Sequence, residues 1–441
     1  MFLPESAMLC LQTLENAGHE AYAVGGCVRD SLLGRAAQDY DLCTNATPEE
    51  TARLFDGYTL VRSGEKHGTI GVVMDGQVTE ITTFRTEGGY QDSRHPGWVQ
   101  FVSCLQEDLA RRDFTVNAMA YHPKCGYVDP FGGQRDLTNR ILRTVGDPRE
   151  RFSEDALRIL RGVRFAVRYG LTPEENTLQA MKELAPLMDR LARERVFDEL
   201  CKLLPLVTAQ DLLTYSDILV SVVPVLAPCV HFLQHNPHHR YDVYTHTAHV
   251  VEAAPADLAV RWAALLHDCG KPVCFHLDEN GSGHFYGHAR ISAQLAEETL
   301  LQLKAPTALR ERVCFLIAHH MTPLEADKGL LRRRLGKYGE AAVLDLLALQ
   351  KADLSGKDKD EGNTQFHAIR TLVGEILAED ACLTVRDLQI NGSDLQNLGF
   401  APGPELGACL GWLLEQVQDE LLPNEKQALS AAATVFLQQA H

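Results

Sequence analysis

The chain has 441 residues, with 45% apolar and 23% charged side chains, which is an ordinary globular composition. Its length exceeds the roughly 250 residues at which single hydrophobic cores stop growing, so we expect three or four domains. The net charge of −17 excludes a protein that binds polyanions through overall positive charge, although basic patches at positions 111–112, 161–168 and 332–334 leave room for local nucleic-acid contacts.

The first part of the chain, residues 1–147, has a mixed pattern of predicted strands and helices. Residues 20–24 read as a strand that runs into the turn at Gly25 and Gly26, and a helix begins near Val28. Two β-rich runs, 69–74 and 77–84, meet at Asp75 and Gly76, a pair that accepts the positive φ of a hairpin turn. These features predict an α+β unit with a mixed sheet.

The remainder of the chain has the periodicity of helices. From about Arg151 onward, apolar residues recur at spacings of three and four, as in 156–165. Breaks are expected near Pro237, after Lys357 and at 402–404. We therefore predict four segments, 1–147, 148–236, 237–357 and 358–441, of which the last three are helical.

The cysteines and the apolar stretches bear on where the protein resides. The twelve cysteines are scattered without a C-x-x-C pair, which is typical of reduced thiols. The longest apolar stretch, 219–230, contains Pro224 and Pro228 and is shorter than the ~18 residues of a membrane span. Since no basic segment followed by an apolar one begins the chain, we expect a soluble, cytoplasmic protein without a membrane partner.

Three carboxylates of the first segment have the pattern of a metal site. Asp39 and Asp41 are two residues apart, so a strand would place both side chains on one face, although a D-x-D pair by itself also fits a loop or a helix cap. Glu80 lies in a predicted strand, where an unpaired charge would be costly without a cation. The turn at Gly25 and Gly26 leads into a helix whose free N–H groups suit a triphosphate. Together these features predict phosphoryl transfer with two divalent ions.

Six segments occur in the order of a known set of motifs: GGCVRD, DYDLCT, EITTFRTEGGYQDSRHP, RRDFTVNAMA, DPFGGQRDL and EDALRILRGVRF. In these segments the chain resembles the class II tRNA nucleotidyltransferases, the CCA-adding enzymes, and their poly(A) polymerase relatives within the polymerase-β-like superfamily. The resemblance covers essentially the whole chain. It implies an elongated molecule with a polymerase-β-like head (1–147), a helical neck (148–236), an HD domain (237–357) and a helical tail (358–441).

The resemblance also implies an activity and its residues. The activity is the addition of CCA to the 3′ end of tRNA from CTP and ATP, with Asp39, Asp41 and Glu80 as catalytic residues and Mg²⁺ on the two aspartates. The implied nucleotide-binding residues are Gly25, Gly26, Arg29, Asp30, Arg112, Asp113, Asn117, Asp155, Arg158, Arg161 and Arg164. Arg112 would contact the phosphates, and Asp113 would accept a ribose hydroxyl. Residues 85–95 resemble the flexible loop of enzymes that add the terminal A.

Asp155 and Arg158 have a chemistry that suits base selection. At a helical spacing of three, they also fit an ordinary surface ion pair. Cytosine and adenine each present an amino donor beside a ring-nitrogen acceptor, which a carboxylate and a guanidinium complement. The resemblance implies that these two side chains select the base. Arg195 and Glu199 resemble a motif that braces this pocket, and a simple helix salt bridge between them is the alternative.

Histidines are concentrated in the middle of the chain, since twelve of the eighteen fall between His231 and His320, most of them in the third segment. Six residues in order resemble the ligands of the HD phosphohydrolase superfamily: His246, His267, Asp268, His288, His320 and Asp353. Imidazole and carboxylate ligands suit a divalent metal, whose identity stays open. The resemblance implies hydrolysis of phosphomonoesters or cyclic phosphates at tRNA ends.

Other functions remain alternatives at this point. A poly(A) polymerase or an A-adding relative would have the same scaffold, and a protein that is mainly an HD phosphohydrolase would use the head to hold RNA. A noncatalytic RNA-binding protein fits poorly, because the carboxylates would repel RNA without cations. The expected partners are tRNA, CTP and ATP, since the tail resembles the tRNA-binding tail of the family. No DNA partner is expected, and the oligomeric state is left open.

Overall fold

The computed structural model describes residues 1–88, 98–235, 241–355, 362–379 and 381–439. Its internal contacts divide the chain into two compact units. The first contains Met1–Leu206 with Tyr215–Pro224, and the second contains Val207–Thr214 with Val225–His441. Each unit has a hydrophobic core of its own. The finer division into four segments stays a prediction.

A mixed sheet forms the centre of the first unit. The strands of this unit are, in chain order, β1 (Ala21–Val24), β2 (Leu42–Thr44), β3 (Thr59–Val61), β4 (Thr69–Met74), β5 (Gln77–Thr83), β6 (Arg85–Gly88), β7 (Trp98–Phe101), β8 (Ala120–His122), β9 (Gly126–Val128), β10 (Ile141–Leu142) and β11 (Thr172–Pro173). The sheet has the order β3-β4-β5-β2-β1-β8-β9. Only β2 and β5 pair in parallel within it, with Leu42 opposite Ile81. Since Asp41 and Glu80 each precede one of these partners, the register brings them side by side.

Two predicted turns of the first unit are confirmed. Strand β1 ends at Val24 and is followed by Gly25, whose φ of 75° favours glycine, and the next helix begins at Gly26. Strands β4 and β5 are joined by Asp75 and Gly76, both with positive φ (50° and 76°). The hairpin positions β5 against β2 and so places Glu80 beside Asp41.

Helices surround this sheet and continue after it. They are α1 (Glu5–Asn16), α2 (Gly26–Leu32), α3 (Pro48–Leu54), α4 (Leu105–Ala110), α5 (Gly133–Thr138), α6 (Pro148–Glu154), α7 (Leu157–Tyr169), α8 (Glu175–Leu184), α9 (Arg193–Leu203), α10 (Ala209–Thr214) and α11 (Ser216–Val222), of which α10 belongs to the second unit. The core beneath α4 contains Val24, Cys43, Phe84 and Leu109. Two of these residues lie in β1 and β2, one follows β5 and one lies in α4. Burial of this apolar cluster therefore stabilises the packing of α4 on the sheet.

The second unit is almost entirely helical, as predicted. Its helices after α10 are α12 (Val243–Ala253), α13 (Leu258–Leu266), α14 (Lys271–Cys274), α15 (His288–Gln302), α16 (Thr307–His319), α17 (Lys328–Tyr338), α18 (Glu340–Ser355), α19 (Gly362–Ala378), α20 (Gly392–Asn397), α21 (Pro404–Gln418) and α22 (Lys426–Gln439). A short hairpin of β12 (His276–Leu277) and β13 (Gly283–His284) interrupts them. Among the helices that the structure describes, none combines the length and hydropathy of a membrane span.

The run 156–165 departs from the predicted pattern at its start. Helix α6 ends at Glu154, and α7 begins at Leu157. Between them Asp155 has an extended backbone (φ −140°, ψ 101°), and its carboxylate accepts the N–H of Leu157 at 3.0 Å. Asp155 is therefore the residue at which the chain changes direction between two helices, because its side chain satisfies an N–H of the new helix that has no partner within it.

Candidate active site

A cavity of about 410 Å³ in the first unit, here called the head cavity, brings together most of the predicted nucleotide-binding residues. It is lined by Gly25, Gly26, Cys27, Arg29, Asp30, Gln38, Asp39, Asp41, Arg112, Asn117, Arg161, Arg164, Phe165, Arg168 and Tyr169. Asp113, Asp155 and Arg158 are not among these lining residues. The cavity has a carboxylate side at Asp39 and Asp41 and a guanidinium side on α7.

The two aspartates lie just before β2 rather than within it. The prediction of a strand was wrong in this respect, although the backbone O of Asp41 accepts a hydrogen bond from Val24 and keeps this stretch aligned with β1. Partial desolvation, the Glu80 carboxylate and Asp39 raise the pKa of Asp41 to about 6, while Arg112 opposes the shift. Like charges are therefore gathered at this side of the cavity.

Glu80 differs from its prediction. It is exposed on β5 rather than buried, so the cost of a buried unpaired charge does not apply to it. Its relevance comes from the parallel register with β2, which sets it beside Asp41. Among the residues that the structure describes, groups of three possible metal-ligand atoms within 4.8 Å of one another occur at the histidines of the second unit. These three carboxylates do not form such a group.

Arg29 is fixed in the wall of the head cavity by side chains from three segments. It is buried, donates to Asn117 and to the hydroxyl of Tyr169, and contacts Asp30 at 2.8 Å. Its guanidinium also stacks 4.1 Å from the ring centre of Tyr169. A Cβ at Gly25 would lie 3.1 Å from Nη1 of Arg112, so glycine allows the turn to pass close to this second arginine.

The guanidinium side is a stripe of arginines along α7. Arg158, Arg161, Arg164 and Arg168 recur at spacings of three and four and share one face of the helix, and the last three line the head cavity. Arg161 contacts Asp113 at 2.7 Å, and Arg164 contacts Glu199 at 2.6 Å. Most of these guanidinium groups are thus held by carboxylates rather than free in solvent.

Asp113 is occupied within the protein. It accepts hydrogen bonds from Arg161, from the side chain of Asn117 (3.0 Å) and from the N–H of Phe114 (2.8 Å). Burial opposes its charge, but Arg161, Asn117 and Arg158 together outweigh burial and lower the pKa of Asp113 to about 2. In this arrangement Asp113 positions Arg161 and Asn117, and its predicted contact with a ribose hydroxyl stays a prediction.

Asp155 and Arg158 do not form the ion pair that their spacing allows. Arg158 contacts Glu154 at 2.6 Å, and Asp155 contacts Arg195 at 2.9 Å. The reason is the break between α6 and α7, since Asp155 has left the helix on which Arg158 lies. A salt bridge between Arg195 and Glu199 is also wrong, because Glu199 is paired with Arg164. Helix α9 thus makes two contacts here. Its Arg195 holds Asp155, which precedes α7, and its Glu199 holds Arg164, which lies on α7.

The predicted metal ligands of the second unit form one cluster, here called the HD cluster: His246, His267, Asp268, His288, His320 and Asp353. Nε2 of His246 lies 2.9 Å from Oδ1 of Asp353 and 3.5 Å from Oδ2 of Asp268. His267 Nε2 lies 3.2 Å from Asp268, and His288 Nε2 lies 3.4 Å from it. His288 and His320 face each other through their Nε2 atoms at 3.3 Å. Five helical segments therefore bring six predicted residues to one point.

Three imidazoles of the HD cluster are oriented by the backbone. The outer nitrogen Nδ1 of His267 lies 2.8 Å from the carbonyl of Ala264, and His288 and His320 make equivalent contacts with Phe285 and Ile317. An Nδ1–H that donates to a carbonyl leaves the lone pair of Nε2 for a metal. Burial lowers the pKa of His288 and lowers that of His320 to about 4, which keeps both rings neutral.

Unsatisfied polar atoms lie at the centre of the HD cluster. Apart from ion-pair contacts, His267 Nε2 and both carboxylate oxygens of Asp268 are buried without a hydrogen bond to any described residue. Burial disfavours a charged His267, but Asp268 and Asp353 together outweigh burial and raise the pKa of His267 to about 9. Buried donor atoms that converge in this way fit a divalent metal.

The sequence analysis missed Lys271. It is buried, with Nζ 2.7 Å from Oδ2 of Asp268 and 2.8 Å from the side-chain oxygen of Gln234. The signal was present, since Lys271 follows Asp268 by only three residues, at the start of α14. His320 rather than its neighbour His319 belongs to the HD cluster, because His319 packs against Phe315 and Tyr338 instead. Part of the predicted loop 85–95, residues 89–95, lies outside the described residues, as do the expected break near Pro237 and the one after Lys357.

Comparison with known proteins places the whole chain. Family models match at residues 21–143 (Poly A polymerase head domain), 170–228 (Probable RNA and SrmB-binding site of polymerase A) and 284–433 (tRNA nucleotidyltransferase domain 2, putative). The chain is 37% identical to the CCA-adding enzyme of Levilactobacillus brevis over 435 residues, which are 98% of this chain and 97% of that protein. It is 35% identical to the CCA-adding enzyme of Streptococcus gordonii over 433 residues, 97% and 96% of the two chains.

A solved structure supports the same assignment. The crystal structure of the Bacillus stearothermophilus CCA-adding enzyme in complex with CTP has a TM-score of 0.74 and 27% identity, and the match covers 100% of this chain and 99% of that one. The predicted fold of a mixed-sheet head followed by helical segments is confirmed by this similarity. Because the sequence similarity extends over almost the full length of both chains, the protein belongs to the family of CCA-adding enzymes.

Proposed function

We propose that this chain adds CCA to the 3′ end of tRNA, with CTP and ATP as substrates. The observation that carries the proposal is the head cavity, where Asp39 and Asp41 face the arginines of α7, in a chain that matches CCA-adding enzymes over its length. Guanidinium groups suit the triphosphate, and carboxylates suit a divalent cation beside it. The four predicted segments, head, neck, HD domain and tail, are part of this proposal.

Asp39 and Asp41 would hold Mg²⁺, with Glu80 as the third catalytic carboxylate beside them. The fit is supported by the raised pKa of Asp41, which burial and the carboxylates of Glu80 and Asp39 raise, because a bound cation would offset both causes. Bound Mg²⁺ supplies activation of the RNA hydroxyl and charge neutralisation at the leaving pyrophosphate. The arginine side of the cavity binds and orients the triphosphate, with Arg29 held rigid by Asn117 and Tyr169.

Base selection is proposed for Asp155 and Arg158, at the end of the arginine stripe. Asp155 would accept a hydrogen bond from the amino group of cytosine or adenine, and Arg158 would donate to the ring nitrogen. Both have a carboxylate or guanidinium neighbour that fixes them, Arg195 for Asp155 and Glu154 for Arg158. Uracil and guanine present the opposite pattern and would leave both groups unsatisfied.

The test is nucleotide incorporation into tRNA that lacks its last three residues. With Mg²⁺ and one labelled nucleotide at a time, we expect two additions from CTP and, after them, one from ATP. UTP and GTP should react at least 100-fold more slowly. Equal use of all four nucleotides would contradict base selection by the protein, and long adenylate tails on unrelated RNAs would identify a poly(A) polymerase instead.

A second activity, hydrolysis of phosphomonoesters or cyclic phosphates at RNA ends, is favoured by the HD cluster. The observation that supports it is the set of buried, unsatisfied donor atoms on His267 and Asp268 with neighbouring imidazoles oriented by backbone carbonyls. Residues of the HD cluster would hold a divalent metal, which supplies an activated water. Lys271 is placed to bind a phosphate oxygen beside it.

Metal analysis and a phosphatase assay test this second activity. We expect purified protein to retain a transition metal or to bind Mn²⁺, Ni²⁺ or Mg²⁺, and to release phosphate from a nucleoside monophosphate. The variant Asp268→Asn should lose both properties. A metal-loaded protein without activity on any phosphate ester would restrict the HD cluster to a structural role.

A further inference from the structure

The HD cluster opens into a second cavity, here called the HD cavity, of about 230 Å³. Its lining includes Asp268, Lys271 and His288 at the inner end and His284, Tyr286 and Met321 toward the solvent. This volume is smaller than the ~300–1,000 Å³ that enclose a drug-sized ligand. A phosphate and part of a sugar fit inside such a space, so any larger group of the substrate would lie at the mouth.

Tyr286 is the dominant side chain at that mouth. Its side chain is 78% exposed, and its ring stacks in parallel on His284, with the ring centres 5.4 Å apart and an interplanar angle of 4°. His284 is held by Asp278, whose carboxylate lies 2.9 Å from Nε2. The outer face of the Tyr286 ring is thus a flat apolar surface supported by His284. Because this face is exposed, packing in the hydrophobic core does not explain its position.

The backbone around Tyr286 is fixed by its neighbours. Phe285 packs on Phe275 with ring centres 5.6 Å apart, whereas the ring of Tyr286 stacks on His284. Gly283 lies so close to the backbone of Gln234 that an added Cβ would be 2.2 Å from its carbonyl oxygen. The carbonyl of Phe285 meets Nδ1 of the predicted ligand His288 at 2.8 Å. The segment 283–288 therefore joins the aromatic surface rigidly to the metal-binding end.

We propose that Tyr286, backed by His284, is the stacking surface for a nucleobase and makes the HD cavity a site for nucleoside phosphates rather than for phosphate esters in general. The inference rests on the proposed hydrolase function of the HD cluster. Exposed aromatic rings bind bases by stacking, with little dependence on which base is present. Tyr286 is a specificity-determining residue in this arrangement, and Lys271 binds the phosphate.

The experiment compares two phosphomonoesters of secondary alcohols, adenosine 3′-monophosphate and glycerol 2-phosphate, of which only the first has a base. With metal-loaded full-length protein, Tyr286→Ala should raise KM for the adenosine compound about tenfold, with kcat nearly unchanged and glycerol 2-phosphate unaffected. Tyr286→Phe, which keeps the ring, should behave as the wild type. An equal effect on both esters, or none on either, would overturn the proposal.

A binding measurement keeps the inference separate from the hydrolase function. Calorimetric titration of metal-free protein with adenosine 3′-monophosphate should show a site that Tyr286→Ala weakens about tenfold. Tyr58→Ala, which removes an exposed tyrosine that does not line the HD cavity, is the matched control. If this site weakens as expected while neither ester is hydrolysed, the stacking surface stands and the hydrolase proposal fails. Unchanged binding in Tyr286→Ala overturns the stacking surface whatever the activity.

Two sources of a nucleoside phosphate are distinguished by a third substrate. A short oligoribonucleotide that ends in a 3′-phosphate carries the same terminal base and ester as the mononucleotide. A KM clearly below that of adenosine 3′-monophosphate, with the same dependence on Tyr286, identifies RNA ends as the source. Equal KM values with that dependence identify free nucleotides, and an RNA substrate whose KM ignores Tyr286 contradicts the proposal for RNA.

Discussion

At the scale of single residues, the pairing of Asp113 with Arg161 makes stability depend on pH. The pKa of Asp113 is lowered to about 2, so the carboxylate stabilises the folded state above the unfolded-state pKa of ~3.9 and loses this effect as pH falls toward 2. We expect Asp113→Asn to lower the free energy of unfolding by about 2 kcal/mol at pH 6. The difference from the wild type should shrink below pH 4, as measured by urea unfolding at several pH values.

The matched control for this residue is Asp217→Asn. Asp217 is also paired with a cation, Lys182, at 3.2 Å, but both side chains are largely exposed, and such pairs contribute little. Its substitution should change stability by less than about 0.5 kcal/mol at every pH. A difference between Asp113→Asn and the wild type that is the same at pH 6 and pH 3 would show that the ion pair is not its cause.

Arg195 permits a second residue-scale prediction, about nucleotide selection. Its contact with Asp155 fixes a carboxylate that we propose reads the base, so Arg195→Ala should lower kcat/KM for CTP and ATP about tenfold and reduce discrimination against UTP. Arg193→Ala is the control on the same helix, since Arg193 pairs with Asp189 instead. Single-nucleotide incorporation assays measure both. Equal effects of the two substitutions would indicate a general loss of helix stability rather than positioning of Asp155.

At the scale of secondary-structure elements, the close packing of α5 supports the head cavity. Gly133, in the first turn of α5, lies so near the chain at Thr115 that an added Cβ would be 2.2 Å from the backbone oxygen. Two residues further, Asn117 holds Arg29 in the cavity wall. Gly133→Ala should therefore destabilise the protein by about 2 kcal/mol or more and lower activity, because backbone must move to make room.

A glycine without close neighbours provides the comparison. Gly57 has nothing within 4 Å of an added Cβ, and its φ is not positive, so Gly57→Ala should change stability by less than about 0.5 kcal/mol. Thermal unfolding of the two variants measures the difference. If Gly133→Ala were as stable as Gly57→Ala, the packing of α5 on this segment would not be a constraint on the site.

The same scale shows which elements the sequence could predict. The turn at Gly25 and the hairpin at Asp75 and Gly76 depend on the φ of individual residues, which a local pattern reveals. The partner of Asp155 could not be predicted in this way, since its carboxylate contacts Arg195 forty residues later. For the same reason the spacing of Arg195 and Glu199 suggested a pair within one helix, although each is held by another segment.

At the scale of the whole molecule, a net charge of −17 is compatible with arginine-rich sites because the charges are balanced locally. Arg161, Arg164 and Arg112 contact Asp113, Glu199 and Asp108 respectively. Each of these guanidinium groups is held by a carboxylate, so the acidic residues are part of the binding surface rather than opposed to it. Overall charge therefore carried little information about function, whereas the order of motifs along the chain predicted both candidate sites.

The final prediction concerns two sites that lie in separate compact units of one chain. The carboxylates of the head cavity belong to the first unit and the HD cluster to the second. Since no residue is shared, Asp39→Asn should lower nucleotide incorporation at least 100-fold with phosphate release within twofold of the wild type. Asp268→Asn should have the opposite effect. Both substitutions remove a charge and keep the shape, so thermal unfolding of each variant checks that the other unit stays folded.

The competing expectation is a hydrolase whose head only holds RNA. In that case Asp268→Asn would remove the principal activity. The wild type would incorporate nucleotides only at a background level, and Asp39→Asn would leave that level unchanged. A chelator separates the cases further. Removal of Mg²⁺ should stop nucleotide incorporation, and its return should restore incorporation even when the HD cluster is disabled by Asp268→Asn. If nucleotide incorporation required an intact Asp268, the two sites would depend on each other. The division of their ligands between two units predicts no such dependence.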